Sequence, residues 1–158
     1  KVYIFLADGF EDIEGLTVVD LLRRAGVDIR TVSIKNTKEV QTAHGICLLT
    51  DEVFGEVDFS DADMLVLPGG MPGTKYLAGY KPLTELLTEF YDDGRKIAAI
   101  CAAPSDGAMT STDSVVVDGN VTTSRGLGTA VDFALSIITQ LEGKEKAQEI
   151  AESVVYRA

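Results

Sequence analysis

A cysteine stands at the end of an apolar stretch, where the chain has to turn. In "KIAAICAAPS", residues 96–105, Cys101 follows four apolar residues and has alanines two positions away on either side. Small residues at these positions are typical of a nucleophile elbow, a sharp strand-to-helix turn that lifts a reactive side chain out of the core. Amides at the start of a following helix would favour the thiolate form. Cys101 is therefore the candidate nucleophile, with a small hydrophobe at a strand end as the alternative.

Two glycines follow a second apolar run, "MLVL", in the sequence "LPGG". Backbone amides without side chains, here those of Gly69 and Gly70, are suited to an oxyanion hole beside a reacting atom. A simple Gly-Gly turn after a strand is the alternative.

Three carboxylates, Glu11, Asp12 and Glu14, open the first predicted helix. Acidic side chains are stabilised at the positive end of a helix dipole, so solvated helix-start residues are the simplest interpretation of all three. Glu14 lies about one turn into the helix, from which it can point across a crevice. Burial beside a thiolate would raise its pKa and make it a proton carrier.

The other cysteine and the one histidine lie close together in sequence. Cys47, inside "GICLLT", has apolar neighbours that predict a place in the core, whereas turn-like residues around His44 predict a surface or interface position. Two cysteines without metal-like spacing make no disulfide framework, and one histidine leaves little for a metal site. We therefore expect neither a metal nor an organic cofactor.

The elements that must position these residues alternate between strand and helix. "VYIFLADGFED" predicts a buried strand, "IEGLTVVDLLRRAG" has helical spacing, and later segments repeat this order. Residues 39–53 predict a hairpin or a pair of short strands, and residues 113–126 predict a hairpin. The pattern predicts one α/β domain, residues 1–158, as a three-layer α/β/α sandwich with a largely parallel sheet. Ligands bind beyond the carboxyl ends of such strands, where all three candidate turns lie.

One connection is too short for this fold. A parallel strand that ends at Ile100 should lead into a covering helix, yet "APSDGAMTSTDS" has no helical apolar face. We expect a segment to be missing between Ser105 and Asp106.

Charge and composition exclude several functions. The formal net charge of −11 repels phosphate backbones and anionic membrane surfaces, so nucleic acid and membranes are not expected partners. No apolar run reaches the length of about 18 residues needed for a membrane span, and the acidic start does not resemble a signal peptide. A cytoplasmic location is expected.

Four motifs in order along nearly the whole chain carry a family resemblance. "EDIEG" after the first strand, "LPGG", "AAICAAP" and "TSRGLGTAVDFAL" together resemble the DJ-1/ThiJ/PfpI superfamily, specifically its DJ-1-like branch. The resemblance implies a flavodoxin-like fold, a homodimer and no cofactor. The apolar residues Val18, Val19 and Leu22 of the first helix would serve either the core or that dimer interface.

The resemblance also implies roles for particular residues. Cys101 would be the reactive cysteine, a protonated Glu14 would hydrogen-bond its sulfur, and the backbone at Gly69, Gly70 and Ala102 would surround the substrate. Ala102 stands where the protease-like branch has histidine, which disfavours a Cys-His peptidase. Leu127 stands where close relatives have a proline, so the resemblance does not imply the shape of the site at this position.

Two functions fit these residues. One is a glutathione-independent, cysteine-dependent glyoxalase or deglycase that acts on methylglyoxal or its glycated adducts, with Cys101 as nucleophile and Glu14 as proton carrier. The alternative is a redox-sensing or chaperone protein with an oxidisable cysteine and no turnover. Both need an accessible thiol of low pKa, so the sequence does not separate them.

Overall fold

The structure is a computed structural model that describes residues 1–101 and 111–157. Ala102 and the junction between Ser105 and Asp106 lie outside the described residues, so the predictions made for them are not tested by the fold.

A seven-stranded sheet, the central sheet, organises the molecule in the order β5-β2-β1-β6-β7-β9-β8. All neighbouring strands are parallel except β8, which pairs antiparallel with β9 at the edge. Its strands are β1 (Val2–Leu6), β2 (Ile29–Ser33), β5 (Glu52–Val53), β6 (Met64–Leu67), β7 (Lys96–Ile100), β8 (Val115–Asp118) and β9 (Val121–Ser124). The expected largely parallel sheet is confirmed.

Helices cover both faces of the central sheet, because successive side chains of its strands point to opposite sides. Ile4 of β1 packs with Phe133 in one hydrophobic core, and Phe5 packs with Phe90 in the other. The first core joins the sheet to α1, α4 and α5, and the second joins it to α2 and α3. The helices are α1 (Asp12–Arg24), α2 (Gly73–Gly79), α3 (Lys81–Asp92), α4 (Ala130–Glu142) and α5 (Lys144–Ser153). The three-layer α/β/α sandwich is confirmed.

The apolar residues of helix α1 for which the sequence allowed either a core or an interface position lie in the core. Val18 and Leu22 are fully buried and Val19 nearly so, all in the core against the central sheet. Within residues 1–101 and 111–157, no helix is both long and apolar enough to cross a membrane.

A small hairpin lies beside the start of α1, outside the central sheet. Its strands β3 (Glu39–Gln41) and β4 (Cys47–Leu49) pair antiparallel, as the sequence predicted. Backbone hydrogen bonds tie it to the loop after β1, from Gly9 N to Gln41 O at 2.7 Å and from Ala43 N to Phe10 O at 2.8 Å. The hairpin therefore has a fixed position next to the first turn of α1.

Candidate active site

The candidate site lies where the strand order reverses. Strand β1 has β2 on one side and β6 on the other, so the connections that leave their carboxyl ends diverge and open a crevice. The loops after β1, β6, β7 and β9 carry the residues described below.

Cys101 sits on a strained turn directly after β7. Its φ is 64°, in the left-handed region that residues other than glycine rarely adopt, at a cost of about 1–3 kcal/mol. Its N–H donates to Ser124 O at 3.0 Å, which anchors the turn to the neighbouring strand β9. The side chain is exposed rather than packed in the core. This geometry is that of a nucleophile elbow.

Gly69, directly after Pro68 at the end of β6, lies between the thiol-bearing turn and the Glu14 carboxyl. Its N–H donates to Glu14 Oε2 at 3.0 Å. A Cβ at Gly69 would lie 2.6 Å from Cβ of Cys101 and closer still to Glu14 Oε2, which leaves no room for a side chain. Glycine is therefore required here by the close approach of two candidate catalytic residues.

Gly70 packs against the loop before α1. Its φ is 97°, and an added Cβ would lie 2.8 Å from the carbonyl carbon of Phe10 and 2.9 Å from Gly9 O. The adjacent hydrogen bond from Glu11 N to Gly69 O, at 2.8 Å, holds the two loops together. These contacts explain why position 70 is glycine, while an oxyanion role for its amide stays a prediction.

Glu14 is buried, with only 2% of its surface exposed, although it lies in the first turn of α1. Burial, the largest effect, raises its pKa above the usual 4.5, and the nearby charge of Glu11 acts in the same direction. Hydrogen bonds with Cys101, Gly69 N–H and Leu127 N–H lower the pKa but do not outweigh burial. The interpretation of Glu14 as a solvated helix-start acid is therefore excluded.

The loop after β9 forms another side of the site, the part whose shape the sequence left open at Leu127. Leu127 donates its backbone N–H to Glu14, and its side chain is half exposed. A Cβ at Gly126 would lie 3.7 Å from Glu14 Oε1 and 4.0 Å from Cys101 Sγ. The glycine-rich "SRGLG", part of one motif of the family resemblance, therefore lies beside both candidate catalytic residues.

Cys47 is exposed, so its predicted place in the core is wrong. Its strand β4 belongs to the two-stranded hairpin rather than the central sheet, and Cys47 and Leu49 of that strand are both exposed. His44 lies in the turn of the same hairpin with 71% of its side chain exposed, and its Nδ1 is 2.8 Å from Asp12 Oδ2. Both cysteines are therefore exposed, and they differ in backbone position: Cys101 lies on the strained turn after β7, and Cys47 lies in strand β4 of the hairpin.

These features define an open α/β protein with a cysteine on a strained elbow and a buried carboxyl group hydrogen-bonded to it. Residues 1–107 match the DJ-1/PfpI family, a span of more than half of the chain. The protein belongs to the DJ-1/PfpI family.

Similar proteins agree with this assignment. The chain is 35% identical to Protein DJ-1 homolog B of Arabidopsis thaliana over 99% of its own length, but it spans only 42% of that relative. That alignment has 182 positions, 24 more than the 158 residues here, so the relative carries residues that this chain lacks.

A second relative and a solved structure cover most of both chains. Glutathione-independent glyoxalase DJR-1.2 of Caenorhabditis elegans is 31% identical over 89% of this chain and 87% of its own. The structure of oxidized Toxoplasma gondii DJ-1 superposes with a TM-score of 0.94 at 30% identity, covering 99% of this chain and 98% of that one. The flavodoxin-like fold expected from the resemblance is confirmed.

Proposed function

We propose that this protein is a cysteine-dependent, glutathione-independent glyoxalase that converts small α-dicarbonyls such as methylglyoxal to 2-hydroxy acids. The observation that carries the proposal is Glu14, a buried carboxyl group of raised pKa that contacts both Cys101 and Gly69 N–H. A carboxyl group whose pKa is raised by burial beside a thiol can both donate and accept a proton during one reaction. A C. elegans relative that bears the glyoxalase name supports this choice.

The first step is addition of the thiol to the aldehyde. The Cys101 thiolate attacks the aldehyde carbon, a C–S bond forms, and the carbonyl π electrons move to oxygen. Protonated Glu14 gives its proton to that oxygen, which produces a neutral hemithioacetal and leaves Glu14 as a carboxylate. The amides of Gly69, Gly70 and Ala102 are proposed to orient the dicarbonyl oxygens during this step.

The second step moves one proton between the two carbonyl carbons. The Glu14 carboxylate removes the proton from the former aldehyde carbon, and the electron pair moves toward the neighbouring ketone to form an enediolate, whose negative charge lies on the former ketone oxygen. Glu14 then returns the proton to the former ketone carbon, and the C1 hydroxyl proton passes to the oxygen on that carbon as the C1 carbonyl forms. The product is a thioester, whose hydrolysis by water releases lactate from methylglyoxal and restores the thiol.

A glutathione-free lactate assay tests this proposal. Wild-type protein should produce lactate from methylglyoxal with no added thiol, and Cys101→Ser should lose this activity while keeping its circular dichroism spectrum. Cys47→Ser is the matched control and should retain turnover. Lactate formation by Cys101→Ser equal to that of wild type would reject Cys101 as the nucleophile.

The same addition chemistry fits a deglycase acting on glycated substrates. A hemiaminal or hemithioacetal adduct of methylglyoxal keeps an oxygen on each of the two carbons that carry the carbonyl oxygens of the free dicarbonyl. Release of free amine or thiol from such adducts, measured faster than their spontaneous dissociation, tests this extension.

Redox sensing is the second candidate, and the exposure of Cys101 next to a carboxyl favours it. Oxidation to a sulfinate would place new oxygens within reach of Glu14. The T. gondii relative was solved in a form described as oxidized. Mass spectrometry after treatment with graded peroxide, combined with the lactate assay, distinguishes the candidates. A sensor should accumulate one sulfinate, at Cys101, and should show no turnover of dicarbonyls.

A homodimer is proposed from the family and from an exposed apolar surface. Ile13 and Leu16 on α1, with Ile46 and Leu49 on the adjacent hairpin, are exposed, with Leu49 at 75%. Leu49→Glu should convert a dimer to a monomer by light scattering, whereas Val117→Glu, an exposed apolar position on β8, should not. A wild-type monomer at micromolar concentration would reject the dimer.

Three further expectations stay proposals. The chain is taken as one domain, residues 1–158, that lacks a segment between Ser105 and Asp106, and peptide mapping across this junction in protein made from the native gene tests this. A cytoplasmic location is tested by microscopy of the tagged full-length protein. The absence of nucleic-acid or membrane binding is tested by gel shift and vesicle sedimentation.

A further inference from the structure

Three hydrogen bonds close a ring at the start of α1, and Glu11 takes part in two of them. Glu11 N–H donates to Gly69 O at 2.8 Å, and Gly69 N–H donates to Glu14 Oε2 at 3.0 Å. Glu14 N–H donates in turn to Glu11 Oε2 at 2.8 Å. Each residue of this ring is therefore held by the other two, and one of them is the proposed proton carrier.

The carboxyl group of Glu11 caps α1. Glu11 has an extended backbone, with φ −75° and ψ 125°, directly before the first helical residue. The first N–H groups of a helix have no acceptor within the helix, so a capping side chain that accepts one of them fixes the first turn. The N–H accepted here belongs to Glu14. Glu11 therefore acts on the residue whose side chain must reach Cys101.

The surroundings of Glu14 make its position critical. Its carboxyl group is enclosed, because a Cβ added at Gly69 or Gly126 would lie within 3.7 Å of one of its oxygens. The residue surface is 2% exposed, so the side chain has little free space in which to adopt another arrangement. A displacement of about 1 Å in such a site is enough to lower a reaction rate about 100-fold.

We propose that Glu11 is a positioning residue, whose cap of α1 holds the Glu14 carboxyl group against Gly69 N–H and the Cys101 thiol. Glu11 acts through Glu14 and is assigned no proton in the proposed reaction. The effect on turnover rests on the proposed glyoxalase function, whereas the effect on the position of Glu14 does not.

Two variants are needed, because Glu11 also acts through its charge. Burial is the main cause of the raised pKa of Glu14, and the charge of Glu11 adds to it. Glu11→Ala and Glu11→Gln both remove this charge, but the glutamine keeps an oxygen of the same reach that can accept the N–H of Glu14. The difference between the two variants therefore isolates the hydrogen bond.

Hydrogen exchange at the Gly69 amide, followed by NMR in the full chain, reports the position of Glu14 without any turnover. Exchange should be at least tenfold faster in Glu11→Ala than in wild type, and Glu11→Gln should stay within threefold of wild type. The amides of Leu65 and Val66, in the middle of the central sheet, correct for overall stability.

A cap elsewhere in the chain supplies the matched control. Asp58 accepts Ser60 N–H with Oδ1 at 3.0 Å, in the segment before β6 and therefore at the opposite end of that strand from Gly69. Asp58→Ala removes the same kind of hydrogen bond and should leave both Gly69 exchange and turnover unchanged.

The glutathione-free lactate assay then measures the effect on the reaction, with each variant at its own pH optimum. The kcat of Glu11→Ala should be about 10–100-fold below that of Glu11→Gln, with KM within threefold, because the proton transfers need an aligned carboxyl group. Circular dichroism checks that both variants fold.

Each outcome decides part of the proposal. Equal Gly69 exchange in Glu11→Ala and Glu11→Gln overturns the positioning role, with or without turnover. Faster exchange in Glu11→Ala with a kcat equal to that of Glu11→Gln overturns its effect on the reaction. Absence of lactate from the wild type rejects the glyoxalase function instead, and the exchange rates still decide whether Glu11 positions Glu14.

Discussion

Replacement of Gly69 by alanine probes the spacing on which the candidate site depends. The backbone at Gly69 is outside the left-handed region, so alanine is conformationally allowed and any effect comes from the new methyl group. That methyl would lie 2.6 Å from Cβ of Cys101, about 1 Å inside an ordinary carbon–carbon contact of ~3.5–4.0 Å. Its contact with Glu14 Oε2 would be tighter, and Ile100 O would lie 3.0 Å away.

The expected cost has two parts. Forcing a methyl group into a packed site costs about 1–3 kcal/mol, and displacing Glu14 from Gly69 N–H leaves a buried oxygen unsatisfied at about 1–3 kcal/mol. Together they predict a loss of about 2–6 kcal/mol, or a decrease in Tm of about 4–24 °C for a chain of this length. A displacement of about 1 Å between thiol and carboxyl would lower turnover about 100-fold.

Thermal unfolding and the glutathione-free lactate assay measure both effects. Gly79→Ala is the matched control, because Gly79 ends α2 with no heavy atom within 4 Å of the added Cβ. It should be unchanged or up to about 1 kcal/mol more stable, since alanine favours helix. If Gly69→Ala kept the Tm and turnover of wild type, the described packing of Glu14, Gly69 and Cys101 would be refuted.

Two further predictions concern titration and thiol reactivity. Because the folded state raises the pKa of Glu14, its contribution to stability is complete below about pH 4.5 and is lost as the pH rises through the raised value. The free energy of unfolding of Glu14→Gln relative to wild type, from urea titrations at pH 5 and pH 8, should therefore increase with pH; a constant difference would contradict the raised pKa. Iodoacetamide should alkylate Cys101 before Cys47, because only Cys101 sits on the elbow although both are exposed. Peptide mapping that finds Cys47 labelled first would reverse the assignment of the reactive thiol.

The sequence predicted the layers and the elbow because those features depend on local patterns. Apolar runs that end in Gly-rich turns specify buried parallel strands, and the small residues around Cys101 specify a sharp turn. The carboxyl ends of parallel strands meet at one edge, so Gly69 and Cys101 could be placed together before the structure was known. The burial of Glu14 was stated only as one of two possibilities, because a helix-start acid looks the same in sequence whether loops cover it or not.

The features that sequence reasoning missed depend on contacts between distant segments. Cys47 has apolar neighbours, but its exposure is decided by the hairpin lying outside the central sheet. The contact of Leu127 N–H with Glu14 joins the loop after β9 to α1, and no local pattern encodes it. The approach of His44 to Asp12 likewise follows from backbone hydrogen bonds between the hairpin and the loop after β1.

The most direct test of the account separates the thiol from the proton carrier. Glu14→Gln keeps the size and hydrogen-bonding capacity of the side chain but cannot transfer a proton. Turnover of methylglyoxal should fall by about 10²–10⁴-fold, while Cys101 should still react with iodoacetamide, because alkylation needs no proton carrier. Glu145→Gln, in the exposed first turn of α5, is the matched control and should retain turnover. Turnover by Glu14→Gln equal to that of Glu145→Gln would contradict the central claim that Glu14 carries the proton beside Cys101.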